Sequence, residues 1–304
     1  MRIVTAAAVL FLAGLAGAQT MMPIPVFGST YSSASHSRGF YFQAPIDFTI
    51  VGLRVPDERS HGLQNVAVIK PAAKPPAYPT TTTGGYLFYK GGEPSSTIIP
   101  CNLSFKKGEF VGVLGACGDA TMMYSSYGTP SGPFLSHVLG VATSIYRFGS
   151  QTNLVVVQGQ GAYYCIDTGT VSRVEVYVAA AGLVGSGTGA PGTTLRFTLT
   201  APADGGLPYQ MGSSFGNGPI PIDTRRLGLS VDSLLVLSVA GALPAVFQNY
   251  AGKLDAQGVA QAALAIPNLP ALKGLRIYTA YVTLLATAPS GVASISNSFL
   301  FTIQ

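Results

Sequence analysis

Apolar and polar positions along this chain alternate in short runs, and Gly and Pro break the runs. DFTIVGLRVP (47–56) sets Phe48, Ile50, Gly52 and Arg54 against Thr49, Val51, Leu53 and Val55. SRVEVYVA (172–179) sets Val174, Val176 and Val178 against Arg173, Glu175 and Tyr177. Side chains of a strand alternate between its two faces, so a period of two predicts strands, the second of them half-solvated in an antiparallel sheet. GFYFQAP (39–45), NVAVIK (65–70), YLFYK (86–90), SIYRFG (144–149) and TNLVVVQG (152–159) read as further strands. KPAAKPPAYPTTTTGG (70–85) holds four prolines within residues 71–79 and reads as a loop, because proline donates nothing to a ladder. QTMMPIPVF (19–27) reads as an exposed lead, and MMYSSYGTPSG (122–132) as an exposed loop carrying aromatics and hydroxyls.

A second strand series follows. It comprises TTLRFTLTAP (193–202), DSLLVLSVA (232–240), GLRIYTAYVTLLA (274–286) and NSFLFTI (297–303). VAQAALAIP (259–267) suits a strand or a short helix, and YQMGSSFGNGPIP (209–221) reads as a loop. Between the two series the small residues of 181–190 predict a Gly/Ser linker. The halves show no register-matched repeat. The expected fold is therefore all-β, with two consecutive antiparallel β-sandwich domains. The first, over 28–180, is expected to be jelly-roll-like, and the second, over 191–304, immunoglobulin-like.

Composition agrees with short strands and tight turns: 48% of residues are hydrophobic and 10% charged, with 37 glycines and 21 prolines. The N-terminus adds a location. Arg2, the apolar run Ile3–Leu15 and Ala16-Gly17-Ala18 have the order of a secretory signal peptide over residues 1–18, cut after Ala18. An extracellular or cell-surface protein is expected. No later stretch is long and apolar enough for a membrane-embedded domain. Net charge is +5, but the cations are scattered and only Lys106-Lys107 and Arg225-Arg226 adjoin. Without a basic stripe, nucleic acid is not an expected partner.

The second half carries a further pattern. KLDAQGVA (253–260), IPNLPALKGL (266–275) and the terminal SNSFLFTI (296–303) resemble a C-terminal β-sandwich module of secreted proteins from planctomycetes and similar bacteria, over roughly residues 188–304. The RGFYFQAP and KKGEFVGVLGA segments look like domains of the same secreted proteins. The resemblance implies an extracytoplasmic two-domain β-protein; it transfers no functional residues.

Candidate chemistry is sparse. Cys101, Cys117 and Cys165 in an oxidising compartment make disulfide candidates. If residues 103–106 and 109–115 pair around the Lys106–Gly108 turn, Cys101 and Cys117 close the open end of that hairpin. Cys165 pairing with either one, or no disulfide at all, are the alternatives. His36, His61 and His137 have no motif around them, so no catalytic cysteine is expected, and no Cys/His spacing suits zinc. Gly212-Ser213-Ser214-Phe215-Gly216 matches the G-x-S-x-G pattern, yet no histidine follows it in the chain. The acids adjoin turns, and a facing pair for glycoside hydrolysis is not evident. No cofactor or metal is expected. Tyrosine is the more suggestive residue: Tyr124 and Tyr127 in the 122–132 loop, with Tyr163 and Tyr164, are the ligand-binding candidates, since their rings offer an apolar face with a polar tip. The expected function is a non-enzymatic adhesion, matrix or envelope-associated protein. Its partner would be an extracellular glycan or cell-envelope component, bound through loops of the first domain. A secreted hydrolase with an unrecognised site, and a self-assembling structural subunit, are the alternatives.

Overall fold

The structure is a computed structural model that describes residues 20–223 and 225–304; segment 1–18, expected to be a signal peptide, lies outside the described residues. The chain is all-β and sandwich-like, built of antiparallel sheets with one short α-helix among the described residues. No described helix is long and apolar enough to cross a membrane.

In the first half, a four-stranded sheet runs in the order Thr20–Met21, Glu175–Ala179, Phe48–Arg54 and Ile99–Phe105. It packs on a ten-stranded sheet whose centre is Phe110–Gly118, Ser37–Gln43 and Val141–Ser150, continuing through Gln160–Ile166 to Thr82–Gly85. Strand Ser37–Gln43 shows how alternation serves both faces. Phe40 and Phe42 enter the core between the sheets with Phe48, Val113 and Val176. Tyr41 points to a second apolar cluster on the outer face with Leu114, Phe148 and Tyr163. Such full burial of Phe side chains contributes roughly 1.5–3 kcal/mol each.

Several expectations change here. Phe48–Arg54 contains a bulge between Ile50 and Gly52, so Phe48, Ile50, Leu53 and Val55 all reach one core although their spacing breaks strict alternation. Glu175–Ala179 is buried on both faces rather than half-solvated. Its polar side is covered because Glu175 accepts two bonds from Arg54, both 2.7 Å, and one from Tyr177 at 2.8 Å. Residues 152–159 turn instead of extending: the Asn153 side chain accepts from the N–H groups of Val155 and Val156 at 2.8 and 3.2 Å, an Asx turn that outcompetes the β-branched run. The 122–132 loop is a strand, Met123–Thr129, between Val26–Ser33 and the end of Phe110–Gly118. The N-terminal lead is anchored, with Met22 in the core and its N–H on Val176 O at 2.8 Å.

The second half has its own core, formed by residues between Ala181 and Ile303. One sheet runs Gly182–Ser186, Thr194–Thr200, Val259–Ala265 and Phe247–Gln248. The other runs Ala251–Lys253, Pro208–Ser214, Arg276–Leu284 and Val292–Ile295, with Phe299–Thr302 also on Arg276–Leu284. The expected linker is therefore in part a strand, Gly182–Ser186, paired with Thr194–Thr200. Gly182 sits there because a Cβ would lie 2.3 Å from Asn102 Oδ1. Asn102 in turn donates to Thr198 O at 3.1 Å and accepts from Thr200 Oγ1. The 209–221 segment likewise begins as a strand, Pro208–Ser214. Residues 232–240, expected as a strand, form the helix α1 (Ser233–Val239). Four successive apolar residues carry no period, and Asp232 decides by capping: it accepts from Leu235 N at 3.0 Å.

Candidate functional site

The outer face of the ten-stranded sheet carries a groove of about 680 Å³. Its aromatic wall is Tyr41, Phe110 and Tyr146; its polar groups are Gln43, Lys74, Lys107, Thr143, Ser144 and Asp167. Strand register assembles it. Tyr41 lies directly opposite Tyr146, so their rings stack at 5.3 Å and 27°. Arg147 is opposite Ile166, so the next residue, Asp167, continues the Tyr41–Tyr146 row. Tyr41 is buried at the floor, and Tyr146 and Phe110 are half-buried above it.

The proline-rich loop supplies the cation. Its backbone is held against the sheet by Tyr78 N on Cys165 O at 3.0 Å and Cys165 N on Pro76 O at 2.8 Å. Lys74 then reaches Asp167 Oδ2 at 2.6 Å, while Tyr41 donates its hydroxyl to Asp167 Oδ1 at 2.7 Å. Burial pushes the Asp167 carboxyl up, but the bonds from Lys74, Tyr41 and Cys165 outweigh it and hold the carboxyl below the usual range. Burial, then the bond to Asp167, pushes the Tyr41 hydroxyl far up, so it stays a donor.

The remaining wall is the Lys106–Phe110 turn. Lys107 N bonds Asp47 Oδ1 and Lys106 N bonds Glu109 Oε2, both at 2.8 Å. Gly108, at φ +90°, donates to Ala44 O at 2.8 Å. Lys107 thus stands on a rigid turn with its ammonium in no ion pair among the described residues.

The four tyrosines nominated from sequence do not converge. Tyr124 lies near His61 and Arg59. Tyr127 stacks on Tyr31 at 5.6 Å with Arg147 on its ring. Tyr163 is buried in the outer cluster against Phe148, and Tyr164 packs on Tyr78. Tyr163 and Tyr164 are neighbours on one strand and so face opposite ways. Sequence reasoning missed Tyr41, Tyr146 and Asp167. Each was visible as a strand or turn residue, but their row depends on pairing of strands about 100 residues apart in register 41 to 146.

The disulfide expectation is corrected: Cys101, Cys117 and Cys165 are free and buried. Residues 101–117 do not form a hairpin. Ile99–Phe105 pairs with Phe48–Arg54 in the smaller sheet, whereas Phe110–Gly118 belongs to the larger one. The Lys106–Gly108 turn crosses between layers, and each sulfur instead meets a backbone oxygen: Ile50 for Cys101, Val55 and Pro56 for Cys117, Pro75 for Cys165. Burial raises all three thiol pKa values, that of Cys117 to about 12, which suppresses the reactive thiolate. Ser214 is also inert in place, donating to Gly216 O at 2.6 Å. Among the described residues no cluster of three or more His, Cys, Asp or Glu could hold a metal ion.

Comparison of the chain with family models, curated proteins and solved structures gives no match.

Proposed function

We propose that this is a secreted or cell-surface, non-enzymatic protein that binds an extracellular glycan in the groove over Tyr41 and Tyr146. The observation that carries the reading is the row Tyr41–Tyr146–Asp167. The half-buried Tyr146 ring, backed by the buried Tyr41 ring stacked on it, offers an apolar face on which the C–H face of a sugar packs, and the flanking carboxylate, Gln43 amide and hydroxyls of Thr143 and Ser144 offer hydrogen bonds to its hydroxyls. Asp167 is already ionised and oriented by Lys74 and Tyr41, so ordering it on binding costs little. Adhesion or matrix association then follows from display outside the cell. The secreted-hydrolase alternative is less supported: glycosidases of the common type use two carboxyl groups, one of them kept protonated. Asp167 is the one carboxylate in the groove wall, and its pKa is lowered. A glycan array probed with the full chain tests the reading. Spots that bind wild type and lose signal with Tyr146→Ala are the expected result; a uniformly blank array overturns it.

A further inference from the structure

A second opening lies at one end of the sandwich formed by the second half, beside α1. It holds about 170 Å³. Leu234 and Leu237 of α1, Leu243, Phe247, Ile266 and Leu272 are among its walls. Ser213 is the one polar residue lining it, and its hydroxyl is turned away to Tyr250 and Thr279 at 2.9 and 2.8 Å. Water needs two to four polar partners to occupy such a space stably, and here it finds none. The mouth is ringed by large apolar side chains open to solvent: Phe215 at 45%, Leu237 at 41% and Leu243 at 45% exposure. Apolar surface left open in this way around a pocket marks a binding site.

Charge narrows the occupant. The segments that form most of the walls, 213–215, 229–247 and 264–277, contain one acidic side chain, Asp232. Both of its oxygens are occupied by backbone N–H groups, Leu235 at 3.0 Å and Phe215 at 2.8 Å. Lys273, exposed and in no ion pair among the described residues, stands in sequence between Leu272 and Leu275, which both line the pocket. Residues 256–304 contain no Asp or Glu at all. We infer that this pocket takes the hydrocarbon tail of an anionic single-chain amphiphile, whose headgroup stays in solvent beside Lys273. The tail meets a wall with no polar partner, and the head meets an exposed lysine that is paired with no Asp or Glu among the described residues. The site is separate from the glycan groove, which lies on the outer face of the ten-stranded sheet in the first half.

The test is calorimetric titration of the full chain with decanoate, butyrate and decyltrimethylammonium, each below its aggregation concentration. Decanoate should bind, butyrate should not, and decyltrimethylammonium should bind more weakly than decanoate. Leu237→Asp at the exposed mouth should weaken decanoate by roughly tenfold or more, since it places a charge where apolar surface was to be covered. Lys273→Gln should bring the two decyl compounds towards equal affinity. Leu300→Asp, equally exposed at 41% on a strand outside the pocket wall, should leave decanoate binding unchanged. Circular dichroism confirms the fold of each variant. The inference is overturned if decanoate does not bind, if the cationic decyl compound binds as tightly, or if folded Leu237→Asp binds decanoate like wild type. A wild-type dimer that Leu237→Asp dissociates, with no decanoate binding, would overturn it in favour of a second copy on the same surface.

Discussion

The groove over Tyr41 and the pocket beside α1 are both openings in antiparallel β-layers, yet they offer opposite chemistry. The groove lies on the outer face of a sheet, where strand register lines up Tyr41, Tyr146 and Asp167 and a proline-rich loop adds Lys74. The pocket lies at the end of a sandwich, where a seven-residue helix covers the gap between sheets with Leu234 and Leu237. A sheet face exposes every second side chain, so polar groups enter it freely. A sandwich end exposes the core, so it stays apolar unless something covers it. The same fold class thus leaves a groove with polar groups in one half and an apolar pocket in the other.

The largest expected effects separate the halves. Gly39 is packed so closely that a Cβ would fall 1.7 Å from Val113 O. Gly39→Ala should cost more than about 4 kcal/mol in the first core, through backbone that cannot yield. Glycan binding should be lost while decanoate binding persists; loss of both would mean the two cores fold as one unit. Phe197→Ala should do the reverse, removing about 3–5 kcal/mol from the second core, where Phe197 is fully buried. Denaturation followed with each ligand present reads both.

A smaller effect is expected at Glu175. Burial raises its carboxyl pKa, but the Arg54 and Tyr177 bonds prevail and lower it. A depressed folded pKa contributes stability above the unfolded value, and that contribution fades as pH falls through the folded one. Stability should therefore drop on acidification below the ordinary glutamate range. Glu175→Gln should cost about 1–2 kcal/mol at neutral pH, discounted because Arg54 is more than a third open to solvent, and should flatten the acid slope. Denaturation midpoints at neutral and acidic pH measure both. The smallest effect is on the native thiols. A colorimetric thiol reagent should find none reactive until denaturant is added and then all three, and non-reduced mass mapping should find no bridge.

Strand content and turns were legible because alternation and Gly/Pro punctuation are local. The all-β class follows from stretches such as 39–45 and 47–56. What failed was set by single polar side chains or by distant pairing. Asp232 turned an apolar run into α1, and Asn153 turned another into a turn. The bulge at Ile50 reset which residues face the core. Tyr124 and Tyr127 suggested a site because they cluster in sequence, but their strand carries them to different neighbours. Tyr41 and Tyr146 stand far apart in the chain and meet only through register, which no local pattern encodes.

The proposed sugar site rests on the Tyr41–Tyr146–Asp167 row. Its most direct measurement is the affinity of the best array glycan for wild type and for Tyr146→Ala, with denaturation midpoints taken alongside. Tyr146 is half-buried, so the substitution should leave the fold intact while weakening the glycan by roughly tenfold or more, as loss of a stacking face implies. Unchanged glycan affinity in a folded Tyr146→Ala protein would contradict the account.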